Sequence, residues 1–199
     1  MARKFRKLIS RFFPRADLAQ DRGMGEFLIS PEKIELTLLQ QNLNRYLGYS
    51  PKPGILPGDW DTIAVPFKGT PIFRGFEQHF KGGLPWRKTE YFDELEKGFL
   101  EVRVKRLGGY DQFFSHYDKL YEKMEKEGFD VESSKNSIVV NGGRNRSLIR
   151  HDGNHRLSIA LLLNLPLVRA RYNVVHPDHI AFTCVDQQQS DPRQPRDGN

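Results

Sequence analysis

The chain predicts an α/β (α+β) fold: a small mixed β-sheet with helices packed around it, preceded by a helical N-terminal half. Three observations predict it. Apolar residues recur at helical spacing in successive segments up to residue 124. The pattern then changes: residues 137–140 are short and β-branched, and residues 167–175 alternate Val168, Ala170, Tyr172 and Val174 with Arg169, Arg171 and Asn173. Between these runs, residues 154–163 are apolar nearly all round, as a central buried helix must be.

The elements follow in order. Residues 1–14 place Phe5, Leu8, Ile9, Phe12 and Phe13 at helical spacing with basic residues between them, which reads as a short cationic amphipathic helix. Such a helix either docks on the domain with its basic face solvated or lies on an anionic membrane surface; a nucleic acid or protein partner is the third option. Its apolar positions are interrupted by charge, which argues against a signal peptide. Residues 26–30 suit a strand. Ser30-Pro31 then starts a helix, with Leu36, Leu39, Leu43, Tyr46 and Leu47 in step up to Gly48. Residues 48–58 are rich in Gly and Pro and form a loop that delivers Gly58-Asp59-Trp60-Asp61. Ile72, Phe73, Phe76 and Phe80 mark a helix closed by Gly82-Gly83. Thr89 caps a short helix through Leu95, with Trp86 in the core beside it. Phe113, Phe114, Tyr117, Leu120, Tyr121 and Met124 mark a longer helix ended by Gly128. Asn141-Gly142-Gly143 is a hairpin turn signal, returning as a strand over 147–150.

Length suits one domain with appendages: a basic arm over 1–22, a single domain over 23–185, and a polar, Pro-containing tail over 186–199 expected to be disordered. A chain of 199 residues buries roughly 70% of its unfolded surface, so no staple is required. Cys184 is the one cysteine, which excludes a disulfide framework and fits a reducing, cytoplasmic setting, with the arm leaving room for a peripheral place at the membrane. The net charge of +6 belongs to the arm. Residues 1–16 carry six basic residues and no acid; taking those six from 31 leaves 25, against 25 acids. The body of the chain is formally neutral, so the charge does not imply a nucleic-acid-binding body.

The richest stretch is Arg150-His151-Asp152-Gly153-Asn154-His155-Arg156. It reads as a strand end, a tight Gly turn and the first turn of the buried helix. Gly153 permits positive φ or close approach of a ligand. The first N–H groups of a helix lack intrahelical partners, and the dipole there favours an anion. His155 and Arg156 add donors at the same end, so residues 152–156 form a candidate phosphate cradle. The alternative is a structural ion pair between Arg156 and Asp152 or another acid.

The order of hairpin, Gly-containing turn, His-Arg, buried helix and strand resembles the ParB/sulfiredoxin-like superfamily. Asp152-Gly153-Asn154-His155-Arg156, followed by Leu157, Ile159 and Ala160, carries the resemblance. Gly58-Asp59-Trp60-Asp61, Trp86-Arg87-Lys88-Thr89 and the aromatic helix at 113–124 resemble an uncharacterised branch. The resemblance implies a small α/β fold whose loop binds nucleotide phosphates. Sulfiredoxins carry a Cys directly before the His-Arg pair, where this chain has Asn154. ParB proteins carry a Gly-Glu-Arg-Arg type box and bind CTP, whereas Asn154-His155 stands in place of Glu-Arg here. In the loop the chain is most similar to the free-serine kinase type, which implies an ATP-dependent phosphotransferase (a kinase) with an acidic base and an acceptor that the sequence does not identify.

On that reading ATP, or another nucleotide, and Mg²⁺ are the cofactors. Asp152, Gly153, Asn154, His155 and Arg156 hold the phosphates. His155 and Arg156 neutralise developing charge, and Asp59 or Asp61 is the base or metal ligand. The alternative for the two aspartates is a Gly-Asp turn with Trp60 packed and both carboxylates capping backbone. A non-catalytic nucleotide- or nucleic-acid-binding regulatory protein is the second function class; a nuclease lacks an evident acidic metal cluster. Arg144, Arg146 and Arg150 read as a basic hairpin edge, solvated or in contact with phosphate. His151, His155, His176 and His179 invite a zinc reading, but Gly153 and Pro177 break the spacing.

Overall fold

The computed structural model describes residues 25–98 and 101–179. The basic arm, the polar tail and Cys184 lie outside them. The chain runs β1 (Glu26–Ile29), β2 (Leu36–Thr37), α1 (Gln40–Leu47), β3 (Gly54–Ile55), β4 (Val65–Pro66), α2 (Pro71–Phe80) and α3 (Glu90–Glu96). It continues through α4 (Glu101–Arg106), α5 (Tyr110–Glu127), β5 (Ile138–Gly142), β6 (Leu148–Asp152), α6 (Asn154–Leu162) and β7 (Val168–Val175). Among the described residues no helix is long and apolar enough to cross a membrane.

The strands form one mixed sheet in the order β1-β7-β5-β6-β2-β4, with β3 also on β7. The mixed α/β class is as the sequence predicts. In the N-terminal half, three short strands (β2, β3 and β4) come in addition to the strand expected over 26–30. Leu36 keeps helical step with Leu39 and Leu43, yet it pairs with Pro66 on β4 and Ile149 on β6. The expected helix from Ser30-Pro31 is a single 3-10 turn over Pro31–Lys33, and α1 begins only at Gln40. Sheet pairing overrides local periodicity here.

The β5–β6 hairpin exists, but its turn is displaced from the expected Asn141-Gly142-Gly143. Asn141 and Gly142 belong to β5. The reversal falls on Asn145 and Arg146, both at positive φ (55° and 61°), closed by Ser147 N–H donating to the Arg144 carbonyl at 3.0 Å. Two left-handed central residues match the twist of paired strands, and Asn is among the residues that tolerate them.

Adjacent residues of β6 point to opposite faces. Leu148 joins the main core with α2, α3, α5 and α6, and Ile149 joins a smaller cluster with Leu38, Leu43, Leu56, Trp60 and Val174. The main core is aromatic. Phe76 meets Trp86, Tyr91 and Tyr117 at centroid distances of 5.1, 6.0 and 5.6 Å, and Trp86 stacks on Phe114 at 4.5 Å. Trp86 also donates to Asp118 Oδ1 at 2.8 Å. Thr70 and Thr89 cap α2 and α3 by accepting from the N–H of Phe73 and Phe92. The two helices touch at Gly75, where a Cβ would lie 2.3 Å from Tyr91 Cβ.

Candidate anion-binding site

β6 ends at Asp152, and Gly153 turns the chain into α6 with φ 91° and ψ 27°, a left-handed conformation natural to glycine. A Cβ there would stand 3.4 Å from Ile138, so the position is also tight. The Gly153 N–H donates to Asp152 Oδ1 at 2.7 Å, and the Leu157 N–H starts the helical ladder on the Gly153 carbonyl. With glycine at the cap, no side chain covers the first turn. The N–H groups of Asn154, His155 and Arg156 have no acceptor among the described residues. By contrast, threonine closes α2 and α3.

Three arginines surround this turn. Arg150 lies on the same face of β6 as Leu148 and is only 2% exposed. It donates to the His151 carbonyl at 2.6 Å and to Thr37 Oγ1, while its Nε has no partner. Among the described residues no carboxylate forms an ion pair with it. Burial pushes its guanidinium down to about 10, with the charge of Asp152 opposing, so it stays charged at neutral pH. Arg156 is half-buried and donates through Nη1 to the Lys135 carbonyl (3.2 Å) and Asn136 Oδ1 (3.4 Å). Burial lowers it too, and Asp152 again opposes. Arg103, from α4, repels both Arg156 and His155 and lies 5.8 Å over the Tyr117 ring. Among the described residues, Asp152 is the acid whose charge favours both Arg150 and Arg156. Nδ1 of His151, Oδ1 of Asn154 and Oγ of Ser158 are likewise buried without partners. Buried polar atoms are nearly always satisfied, so these atoms can take an ordered water or a ligand.

His155 differs from expectation. Its ring is 7% exposed and stacks on Tyr117 at 4.0 Å, and Nε2 lies 2.6 Å from the Tyr91 hydroxyl. Burial first, then repulsion from Arg103, His116, Arg150 and Arg156, holds the imidazole well below its usual range. It is neutral and faces the core. The residue can offer a ligand its backbone N–H, not an imidazolium.

Asp59 and Asp61 are not brought to the cradle. Asp61 Oδ2 accepts from the Arg144 backbone N–H (2.8 Å) and Nε (3.1 Å), and Oδ1 accepts from Nη2 at 2.8 Å. Asp59 Oδ1 accepts from Arg144 Nη1 at 2.9 Å. Burial disfavours the Asp61 anion, but the hydrogen bonds and charge of Arg144 outweigh it and hold the carboxyl below its usual range. Arg144 opens the turn before β6, whereas Asp152 closes that strand, about 13 Å of extended chain away. Asp61 is therefore committed to pinning the hairpin, and Asp59, still largely exposed, is tied to it through one oxygen, with Trp60 fully buried between them. They do not suit a base or a Mg²⁺ site next to residues 152–156.

The other polar groups fall into place. Arg144 is paired with Asp59 and Asp61 and Arg150 is buried, so these residues do not form one exposed basic edge. His179 Nδ1 is 2.8 Å from the Gly143 carbonyl and its Nε2 is 2.9 Å from Tyr172 Oη. Among the described residues no three His, Cys, Asp or Glu gather into a set able to hold a metal. Sequence reasoning missed Arg103 and the buried role of Arg150. The second was accessible, because period-two alternation puts Arg150 on the same face as apolar Leu148. In comparisons with protein-family models, curated proteins and solved structures, nothing matches this chain.

Proposed function

We propose that this chain binds a nucleotide through its phosphates at the start of α6. Buried Arg150, which has no carboxylate partner among the described residues, and half-buried Arg156 on the first turn of α6 together carry the reading. An isolated buried guanidinium is costly to the protein alone. A phosphate oxygen would satisfy it, Arg156 and the helix N–H groups together. The ligand class agrees with what the resemblance to the ParB/sulfiredoxin-like superfamily implies. ATP is the first candidate, and residues 152–156 suit its phosphates.

Phosphoryl transfer to a small-molecule or protein acceptor is the reaction such a cradle serves, and one observation keeps it in view. Asp152 is exposed at the mouth of the loop, and only its Oδ1 is engaged, by the Gly153 N–H. Its free oxygen, rather than Asp59 or Asp61, is then the base for an acceptor hydroxyl. Isothermal titration of the full chain with ATP tests the binding step. Wild type binds, and Arg156→Ala weakens binding at least tenfold, the loss of a charge-assisted contact. No heat of binding with ATP, CTP or inorganic tripolyphosphate would refute the proposal. Asp152→Asn separates the two readings: it abolishes transfer if the chain is a kinase, and otherwise leaves a purely binding protein.

A further inference from the structure

A cavity of about 370 Å³ opens between the last turns of α5 and the loop that leads to β5. Met124, Phe129 and Val131 give it an apolar wall, and Glu127, Glu132 and Asn136 stand on its rim. Arg156 lines it as well. That residue therefore serves two places at once. Its backbone N–H is one of the three open donors at the start of α6, and its guanidinium bonds the loop that walls the cavity. Of residues 152–156, Arg156 lines the cavity, so it is the link between the helix start and this space.

We infer that the cavity is the base pocket of the nucleotide site, and that it takes a nucleobase bearing an exocyclic amine. This rests on the phosphate cradle proposed above. The size is in the range of small-molecule pockets, and an apolar wall with a few polar groups at its edge is what a flat ring needs. The rim decides the base. Asp130, also on the lining, spends both oxygens on the Ser133 N–H and Asn136 Nδ2, and Glu127 lies 3.8 Å from Lys123. Glu132 has neither kind of engagement among the described residues. Its carboxylate accepts hydrogen bonds but cannot donate them, so it favours an amine and repels a carbonyl at that edge. Adenine and cytosine satisfy this; hypoxanthine does not.

Titration of the full chain with inorganic tripolyphosphate, ATP and ITP tests the inference. ATP is expected to bind at least tenfold tighter than tripolyphosphate, and ITP several-fold weaker than ATP. Val131→Trp fills the cavity. It should bring ATP down to the affinity of tripolyphosphate and leave tripolyphosphate binding unchanged. Glu132→Gln, on the exposed rim, should remove the preference for ATP over ITP without disturbing the fold. Equal binding of ATP and tripolyphosphate by wild type overturns the base pocket while the cradle stands. Equal binding of ATP and ITP overturns the amine preference. If wild type binds none of the three, the cradle itself is wrong and the pocket falls with it.

Discussion

The Tyr91 hydroxyl lies 2.6 Å from Nε2 of His155, in a core that leaves neither ring more than 7% exposed. This bond ties α3 to the start of α6 and explains how a histidine can occupy the first turn of a buried helix: it is neutral, stacked and satisfied. Tyr91→Phe removes the hydroxyl and leaves the imidazole nitrogen unpaired. The expected loss is about 1–3 kcal/mol of unfolding free energy, the usual cost of orphaning a buried polar atom. Urea denaturation of the two proteins at neutral pH measures it, and an unchanged midpoint would show that water replaces the hydroxyl.

The same burial sets a pH dependence. Burial lowers the imidazoles of His116, His151, His155 and His179, with nearby arginines or Arg-flanked neighbours adding repulsion. In the unfolded chain each titrates near its ordinary value of about 6.5. Below that pH the unfolded state binds more protons than the folded state, so stability is fully present above it and declines as pH falls. Urea midpoints should drop between pH 7 and pH 5, with a shallower slope in His155→Asn. A flat profile over that range would contradict the neutral assignment.

Gly75 records how closely α2 and α3 cross. An added Cβ would sit 2.3 Å from Tyr91 Cβ and 2.9 Å from its backbone nitrogen, so the helices must separate to admit it. Gly75→Ala, which would help an isolated helix, is expected to cost about 1–3 kcal/mol by overpacking. Chemical denaturation reads the sign directly; a stabilised variant would mean that the crossing yields freely.

Asp61 and Arg144 form the clamp that distinguishes a structural acid from a catalytic one. Asp61→Asn breaks the paired contact and should lower the thermal midpoint by a few degrees. Affinity for ATP should not change, because the clamp stands at the far end of β6 from the cradle. Loss of ATP binding with an intact melting curve would return Asp61 to the site.

What could be read from the sequence follows from the range of the forces involved. α3, α5, α6 and β7 were legible because each carries its own period and its own start or stop, such as Thr89, Gly128 and Gly153. β2 and β4 were not: two-residue strands have no period, and only their partners define them. The Asp61–Arg144 clamp joins residues 83 apart, and no local pattern announces such a pair. The turn at 152–156 was recognisable from Gly153 and the charged residues beside it. The direction of His155 was not, because Tyr91 and Tyr117, which bury it, arrive from other helices. The basic N-terminal residues and the polar C-terminal residues fall outside the described residues.

Arg150 gives the sharpest separation of stability from binding. Its guanidinium is almost wholly removed from water, and its compensation in the free protein comes from the His151 carbonyl, Thr37 Oγ1, the Phe67 ring 6.0 Å away and the charge of Asp152. Replacing a buried charge by an apolar side chain of similar length often leaves stability unchanged or raises it. Arg150→Met also orphans two acceptors, each a smaller loss than desolvating a cation. The expected result is an unfolding free energy equal to or above that of wild type, together with loss of the thermal stabilisation by ATP that a phosphate at α6 confers through mass action. A purely structural arginine gives the opposite pair: a destabilised protein in which ATP still raises the melting temperature by the same amount. Differential scanning calorimetry of both proteins, with and without ATP, decides between them.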